Sequence, residues 1–273
     1  MVPVNDMVAV EAVSNPVFPV TFTLPKGWKL LKTEDNNQVL IPTGAATVDA
    51  LILIHTGVYS QHEPLVAGLA QSLKDLGCQE LMVAEEGEKS IQGKKAYVAR
   101  GSARNAAGSP VEFGLYGQLS GKQLGAGFLV LTSAAQSAEA FRAAEALLAS
   151  AQFGAFTGNA LKAAALVGNW SGGSSEGSRT SGVGGITVAS STRYTFQKDG
   201  TFSFSHKSIT SASGEFGELG SSLSKDSSTE DSGKYFVVGS KLVLAGQKQG
   251  TRVVGYTLQT GLLKIAGIVL QQK

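Results

Sequence analysis

The chain has 273 residues, 23 basic against 21 acidic side chains, one cysteine and 34 glycines, and 16% of its residues are charged. A net charge of +2 excludes a dedicated nucleic-acid binder with its basic stripe. One cysteine excludes an internal disulfide or a thiolate zinc cage, and 42% hydrophobic residues exclude wholesale disorder.

Residues 1–14 carry two acids, Asp6 and Glu11, and lack the basic start and unbroken apolar run of a signal peptide. Strands are expected at Val17–Leu24 and Trp28–Leu31 around a Pro25-Lys26-Gly27 turn, then at Gln38–Pro42 and Val48–Thr56. A helix follows. Ser60 and Glu63 have the S-x-x-E spacing of a capping box, and Pro64 sits where a missing N–H is cheap. Leu65, Leu69, Leu73 and Leu76, with Val66, form one face at helical spacing, and Gly77 is a natural C-cap. Further strands are expected at Cys78–Ala84, Lys95–Ala103, Val111–Leu119 and Gly125–Leu131. The longest apolar stretch, Leu124–Ala135, is too short to span a bilayer, so a soluble chain with no membrane span is expected. A second helix, Ala134–Ser150, is capped by Ser133 and Gln136, with Phe141, Ala144 and Leu148 on its inner face. Strands, helix, antiparallel strands and helix, in that order, define an α+β layer structure.

The texture changes after the alanine-rich stretch Gly154–Gly168, which reads as a linker or connecting helix. Residues 1–165 hold 12 basic and 14 acidic groups, whereas residues 166–273 hold 11 and 7. The expected division is a domain at 1–157, a linker at 158–167 and a second domain at 168–273.

The second part reads as an antiparallel meander. A three-residue Lys198-Asp199-Gly200 loop pairs Phe196 with Phe202 and Tyr194 with Phe204, placing the aromatics on one face. A two-residue turn would split them, and one residue of slip inverts every side chain. The next hairpin turns at Gly239-Ser240 and sets Val237 against Leu242 and Tyr235 against Leu244. The last, Val253–Leu270, turns at Thr260-Gly261 and sets Leu258 against Leu263 and Tyr256 against Ile265. Hairpins with one apolar face each must curl into a small barrel or flattened sandwich. The Ser/Gly-rich tracts Gly172–Gly185 and Ser208–Asp231 are expected as long rim loops, the natural walls of a binding site.

The first half resembles the PsbP/DcrB-like proteins. The resemblance lies in Phe22-Thr23-Leu24-Pro25-Lys26-Gly27-Trp28, in the leucine-spaced helix, and in Ile91-Gln92-Gly93-Lys94-Lys95-Ala96-Tyr97, across residues 15–157. It implies an α/β/α sandwich in which two helices cover an antiparallel sheet, and a binding rather than catalytic role. The second half resembles a lipocalin-like β-barrel domain through Gly168-Asn169-Trp170, Tyr194-Thr195-Phe196, Asp199-Gly200-Thr201-Phe202 and Gly233-Lys234-Tyr235. At about 105 residues it is short for a full lipocalin. Its interior is either open to a ligand or plugged by its own aromatics.

Catalytic patterns are discounted on context. Gly173-Ser174-Ser175-Glu176-Gly177 matches G-x-S-x-G, but that elbow needs a strand before it and a helix after it. Ser222-Leu223-Ser224-Lys225 matches S-x-x-K in a serine-rich tract without a helix. Neither Gly93-Lys94 nor Gly121-Lys122 has the upstream glycine of a phosphate loop. His55 and His62 read as a surface pair flanking a loop, short of the ligand count of a zinc site. Cys78 reads as a small apolar group, and Trp28 and Trp170 as core plugs. His206 shares the parity of Phe202 and Phe204, so it points inward near the rim as a hydrogen-bonded histidine.

The sequence therefore implies no catalytic, cofactor or metal set. Trp170, Tyr194, Phe204, His206 and Tyr256 are the candidate ligand or partner contacts. The expected protein is a non-enzymatic, two-domain binding or assembly factor of the bacterial cell envelope, periplasmic or extracellular. Its partner would be an unidentified protein or a small apolar ligand. The alternatives are a carrier of a small apolar ligand in the barrel and a cytosolic secretion-type chaperone.

Overall fold

The structure is a computed structural model that describes residues 12–34, 37–44, 49–121, 123–180, 184–214 and 221–273. At residues 32–34, 176–180, 184–186, 212–214 and 221–223 it describes the backbone alone. The chain divides into two compact units, Met1–Phe156 and Thr157–Lys273.

In the first unit, β1 (Ala12–Ser14) and β2 (Val20–Thr23) pair antiparallel, and β10 (Gln152–Phe153) joins the other side of β2. The main sheet contains β3 (Trp28–Glu34), β4 (Asn37–Pro42), β5 (Ala50–Val58), β6 (Gln79–Ile91), β7 (Lys94–Arg104), β8 (Pro110–Leu119) and β9 (Leu124–Thr132). Its strand order is β3-β4-β5-β9-β8-β7-β6, antiparallel throughout. Helix α1 (His62–Asp75) buries Leu65, Leu69 and Leu73, and α2 (Ser137–Ser150) buries Ala140, Ala144, Leu147 and Leu148.

The helices take opposite faces because the strands alternate. Leu115 and Leu129 face α1 in one cluster with Leu69 and Leu73, whereas Gly114 approaches Phe141 of α2. Gly127 lets α1 sit close: a Cβ there would lie 2.8 Å from a Leu69 methyl and 2.9 Å from one of Leu65. The expected sheet covered by two helices is the observed one.

Three local expectations are corrected. Neither helix has a side-chain cap: the N-cap positions are Gln61 and Gln136, so Ser60 and Glu63 form no capping box and Ser133 lies ahead of a turn. Leu76 leaves the buried face because it is itself the C-cap, 43% exposed, with Gly77 left-handed after it at φ +82°. His55 and His62 are not a surface pair. His55 lies on β5 with Nδ1 2.6 Å from Asn37 Oδ1 and Nε2 2.6 Å from the Tyr59 hydroxyl. Since Asn37 Oδ1 only accepts, His55 donates from Nδ1 and accepts from Tyr59. Burial pushes its pKa down to about 4, so the ring is neutral near pH 7.

In the second unit, eight strands form a closed antiparallel barrel. They are β11 (Gly168–Thr180), β12 (Gly184–Phe196), β13 (Thr201–Gly214), β14 (Ser221–Val238), β15 (Lys241–Gly246), β16 (Gly250–Gln259), β17 (Leu262–Ile265) and β18 (Ile268–Gln272). The six cross-strand partners expected from burial are all present: Phe196 with Phe202, Tyr194 with Phe204, Val237 with Leu242, Tyr235 with Leu244, Leu258 with Leu263, and Tyr256 with Ile265. Gly200 is left-handed at φ +80°, as its loop requires. A further Ala266-Gly267 turn, both residues at positive φ, sends β18 back to close on β11 at Trp170–Gln272 and Ser171–Gln271.

The two expected rim loops are strands instead. Residues 172–180 pair with β12, and residues 208–214 pair with β14, in unbroken register. Ser, Thr and Gly occupy both faces there, so no period-2 hydrophobic signal marks them. Their register is inherited from the buried aromatic level below. The tips at 181–183 and 215–220 lie outside the described residues.

Segment 158–167 contains α3 (Ala160–Ala165), capped by the Asn159 side chain, which accepts from Lys162 N at 2.9 Å. Leu166, just after it, is buried in the barrel cluster with Trp170, Tyr194, Phe196, Phe202 and Tyr235. Among the described residues no helix is long and apolar enough to cross a membrane.

Candidate functional site

The inward-facing residues of the barrel form two levels. The lower is a packed floor. Trp170 is 1% exposed and its indole donates to Leu166 O at 2.8 Å. The Tyr235 hydroxyl lies 3.1 Å from Gln197 O and 3.2 Å from Ala163 O, which fixes its ring beside α3. Tyr194 stacks on Phe196 with centroids 5.7 Å apart, and Phe196 meets Tyr235 edge-on at 4.8 Å. Burying each such ring contributes about 1.5–3 kcal/mol, so the floor is the stability core of this unit.

The upper level is a half-buried mouth. Phe204, His206, Arg252, Val254 and Tyr256 all point inward yet are incompletely covered. The pairing pattern explains why. β17 covers β16 only from Tyr256 to Gln259, and β18 covers β11 only at Trp170 and Ser171. Above those pairs the β17–β18 hairpin no longer pairs with β16 or β11. Gly172 permits the closure below: a Cβ there would overlap the Val269 carbonyl of β18.

At the base of the mouth, Tyr194 of the floor and Phe204 are 4.8 Å apart by ring centroid, and the Arg252 guanidinium carbon lies 5.1 Å from the Phe204 ring centre. Burial raises the Tyr194 pKa, and the adjacent Arg252 guanidinium pulls the other way. His206 Nδ1 and Thr192 Oγ1 are 2.9 Å apart, the hydrogen-bonded inward histidine expected from parity. Arg252 Nε and Nη2 are buried without a hydrogen-bond partner. Among the described residues no carboxylate pairs with it. Asp231, buried at 4% exposure, directs its oxygens to backbone N–H groups of Ser232 (2.9 Å), Lys248 (3.0 Å) and Gln249 (3.4 Å).

Of the five expected contacts, Tyr194, Phe204 and His206 line adjacent inward positions of β12 and β13. Trp170 belongs to the floor. Tyr256 faces the interior where β17 begins to cover β16, and burial raises its pKa. Arg252 was missed by sequence reasoning, although its parity with Val254 and Tyr256 on one strand was the available signal. The G-x-S-x-G tract lies inside β11, with Ser175 opposite Ala189 and no helix after it. Among the described residues no three His, Cys, Asp or Glu side chains are placed to hold a metal ion. Cys78 is buried at 4% exposure in the cluster under α1.

Two outer concavities accompany the mouth. A groove of about 590 Å³ runs between α3, the Lys198–Gly200 turn and residues 235–237 of β14. A second, about 520 Å³, presents Arg193, Lys207 and Lys273 among serines on the outside of β11–β13. Neither has convergent buried polar groups of the kind at the mouth.

No family model and no curated protein matches the chain. Among solved structures, it is similar to a protein of Bacteroides thetaiotaomicron VPI-5482, at 10% identity and TM-score 0.36, covering 51% of this chain; the chain spans only 48% of that protein's length. It is also similar to the cyanobacterial PsbP of Synechocystis sp. PCC 6803, at 8% identity and TM-score 0.41, covering 56% of this chain and 98% of that one. A third similar structure is LpqN of Mycobacterium tuberculosis, described as involved in cell envelope biogenesis, at 12% identity and TM-score 0.38, covering 52% of this chain and 88% of that one. A PsbP is thus among the solved structures to which the chain is similar, as the sequence resemblance anticipated.

Proposed function

We propose that the chain is a non-enzymatic binding protein of the bacterial cell envelope, with its ligand site in the mouth of the second unit's barrel. The observation that carries this reading is the two-level interior, a sealed aromatic floor beneath an incompletely walled mouth where apolar and polar side chains converge. Binding sites are characteristically concave and largely apolar, with a few placed polar groups. The non-enzymatic part is supported by the engagement of two of the mouth's polar groups: His206 is tied to Thr192 and Asp231 to a backbone turn, an arrangement that braces walls. The envelope setting rests on the PsbP/DcrB-like resemblance of the first half.

A neutral apolar dye tests the site. Nile red should bind the full chain saturably with a fluorescence rise, and Val254→Trp, which fills the gap beside β16, should abolish at least nine-tenths of it. Equal binding by wild type and Val254→Trp, or none by wild type, would contradict the reading.

A further inference from the structure

We infer that Arg252 anchors an anion subsite in the barrel mouth, and that the group it takes is a carboxylate or phosphate carried on an apolar body. This deepens the proposed function and rests on the mouth being the ligand site.

Nε and Nη2 are buried without a partner, and these two nitrogens form one edge of the guanidinium, with parallel N–H bonds spaced for two oxygens of a single carboxylate or phosphate. Buried charges in proteins are ordinarily paired. Among the described side chains, the inward-facing acid Asp231 is committed to the N–H groups of Ser232, Lys248 and Gln249. Phe204 lies under the guanidinium at 5.1 Å and the Tyr194 hydroxyl is its hydrogen-bonding neighbour, so the fork is held in place while Nε and Nη2 keep no partner.

The surroundings specify the rest of the ligand. Val254 and Tyr256 continue inward along β16 from Arg252, both partly buried against the barrel cluster. They supply apolar wall beside the charge. Both nitrogens are shielded from solvent, so a ligand that reaches that edge from above the β17–β18 hairpin displaces the side chains covering it. A bare inorganic anion would leave this apolar wall uncovered, whereas an amphiphile satisfies both.

Calorimetric titration of the full chain with octanoate, octyl phosphate, octan-1-ol and inorganic phosphate tests this. At least one of the two anionic amphiphiles should bind one per chain, at least tenfold tighter than octanol and inorganic phosphate. Arg252→Met should bring its affinity down to that of octanol, and Arg252→Lys should recover part of the difference, with thermal unfolding verifying that both variants are folded. Octanol binding as tightly as the anions, or a preference for anions that survives in Arg252→Met, overturns the subsite while leaving the mouth as the ligand site. Inorganic phosphate binding as tightly as octyl phosphate overturns the apolar part. No binding by any of the four overturns both the subsite and the small-ligand reading of the mouth.

Discussion

The indole of Trp170 donates to the carbonyl of Leu166 at 2.8 Å, tying the first barrel strand to the residue that follows α3. Both side chains are buried in the same cluster, so the bond and the packing close the barrel floor together. Trp170→Phe keeps much of the packing but leaves a buried carbonyl unpaired, and should cost about 2 kcal/mol. Trp170→Ala adds a cavity and should cost about 3–5 kcal/mol. Urea unfolding followed by tyrosine fluorescence measures both; equal stability in all three proteins would remove the floor from the account.

Gly246 makes room for the Asp231 carboxylate, since a Cβ there would overlap Oδ2. Gly246→Ala should therefore destabilise the protein by about 2 kcal/mol or more. Asp231→Ala should also destabilise it, because the Lys248 and Gln249 N–H groups lose their acceptor. Combining the two should cost less than the sum of the single losses, since the second change removes the clash of the first. A double-mutant cycle showing simple additivity would disprove the coupling.

His55 gives the first unit a pH dependence with a definite sign. Its folded pKa is about 4, held down by burial, against an ordinary value of 6.5. Above 6.5 both states are neutral and nothing is lost. Between 6.5 and 4 the unfolded chain takes a proton that the folded chain refuses, so stability falls with falling pH. The total is on the order of 2–3 kcal/mol. His55→Gln should flatten the fall over that window relative to wild type in thermal unfolding at pH 7, 6, 5 and 4. Parallel pH profiles for the two proteins would contradict it.

Arg100 of β7 donates from Nε to the Tyr116 hydroxyl at 3.0 Å and pairs through Nη2 with Glu145 of α2, its guanidinium packed on the Phe141 and Tyr116 rings. This clamp links sheet and helix across a half-buried face. Glu145→Gln should cost about 1 kcal/mol. Arg100→Met, which keeps the stem but strands Tyr116 and Glu145, should cost more, and denaturant midpoints that fail to rank this way would refute the clamp.

The barrel registers were legible because burial decides them: Tyr194, Phe196, Phe202 and Phe204 could share a face only with a three-residue loop. The same logic fails where both faces are polar. Residues 172–180 and 208–214 look like loops to any test based on alternation, and they are strands only because the ladder continues from the aromatic level. Helix caps failed for a different reason. Ser60 and Glu63 have the right spacing, but the chain enters α1 through Gln61, and a cap depends on one residue's backbone angles, which spacing does not report. At the mouth, Tyr194, Phe204 and His206 follow from parity, whereas Arg252 lies one residue ahead of the expected Val253–Leu270 hairpin and was not singled out. Its parity with Val254 and Tyr256 was the signal that it faces inward.

The reading of the second unit depends on a ligand in the barrel mouth. Native mass spectrometry of the full chain purified from its own cells tests it most directly, comparing wild type with Val254→Trp and with Thr257→Trp on the exposed face of the same strand. A small-molecule adduct at one per chain is expected in wild type and Thr257→Trp, and the bare mass in Val254→Trp. Bare mass in all three proteins, or an adduct equally abundant in Val254→Trp, would contradict it.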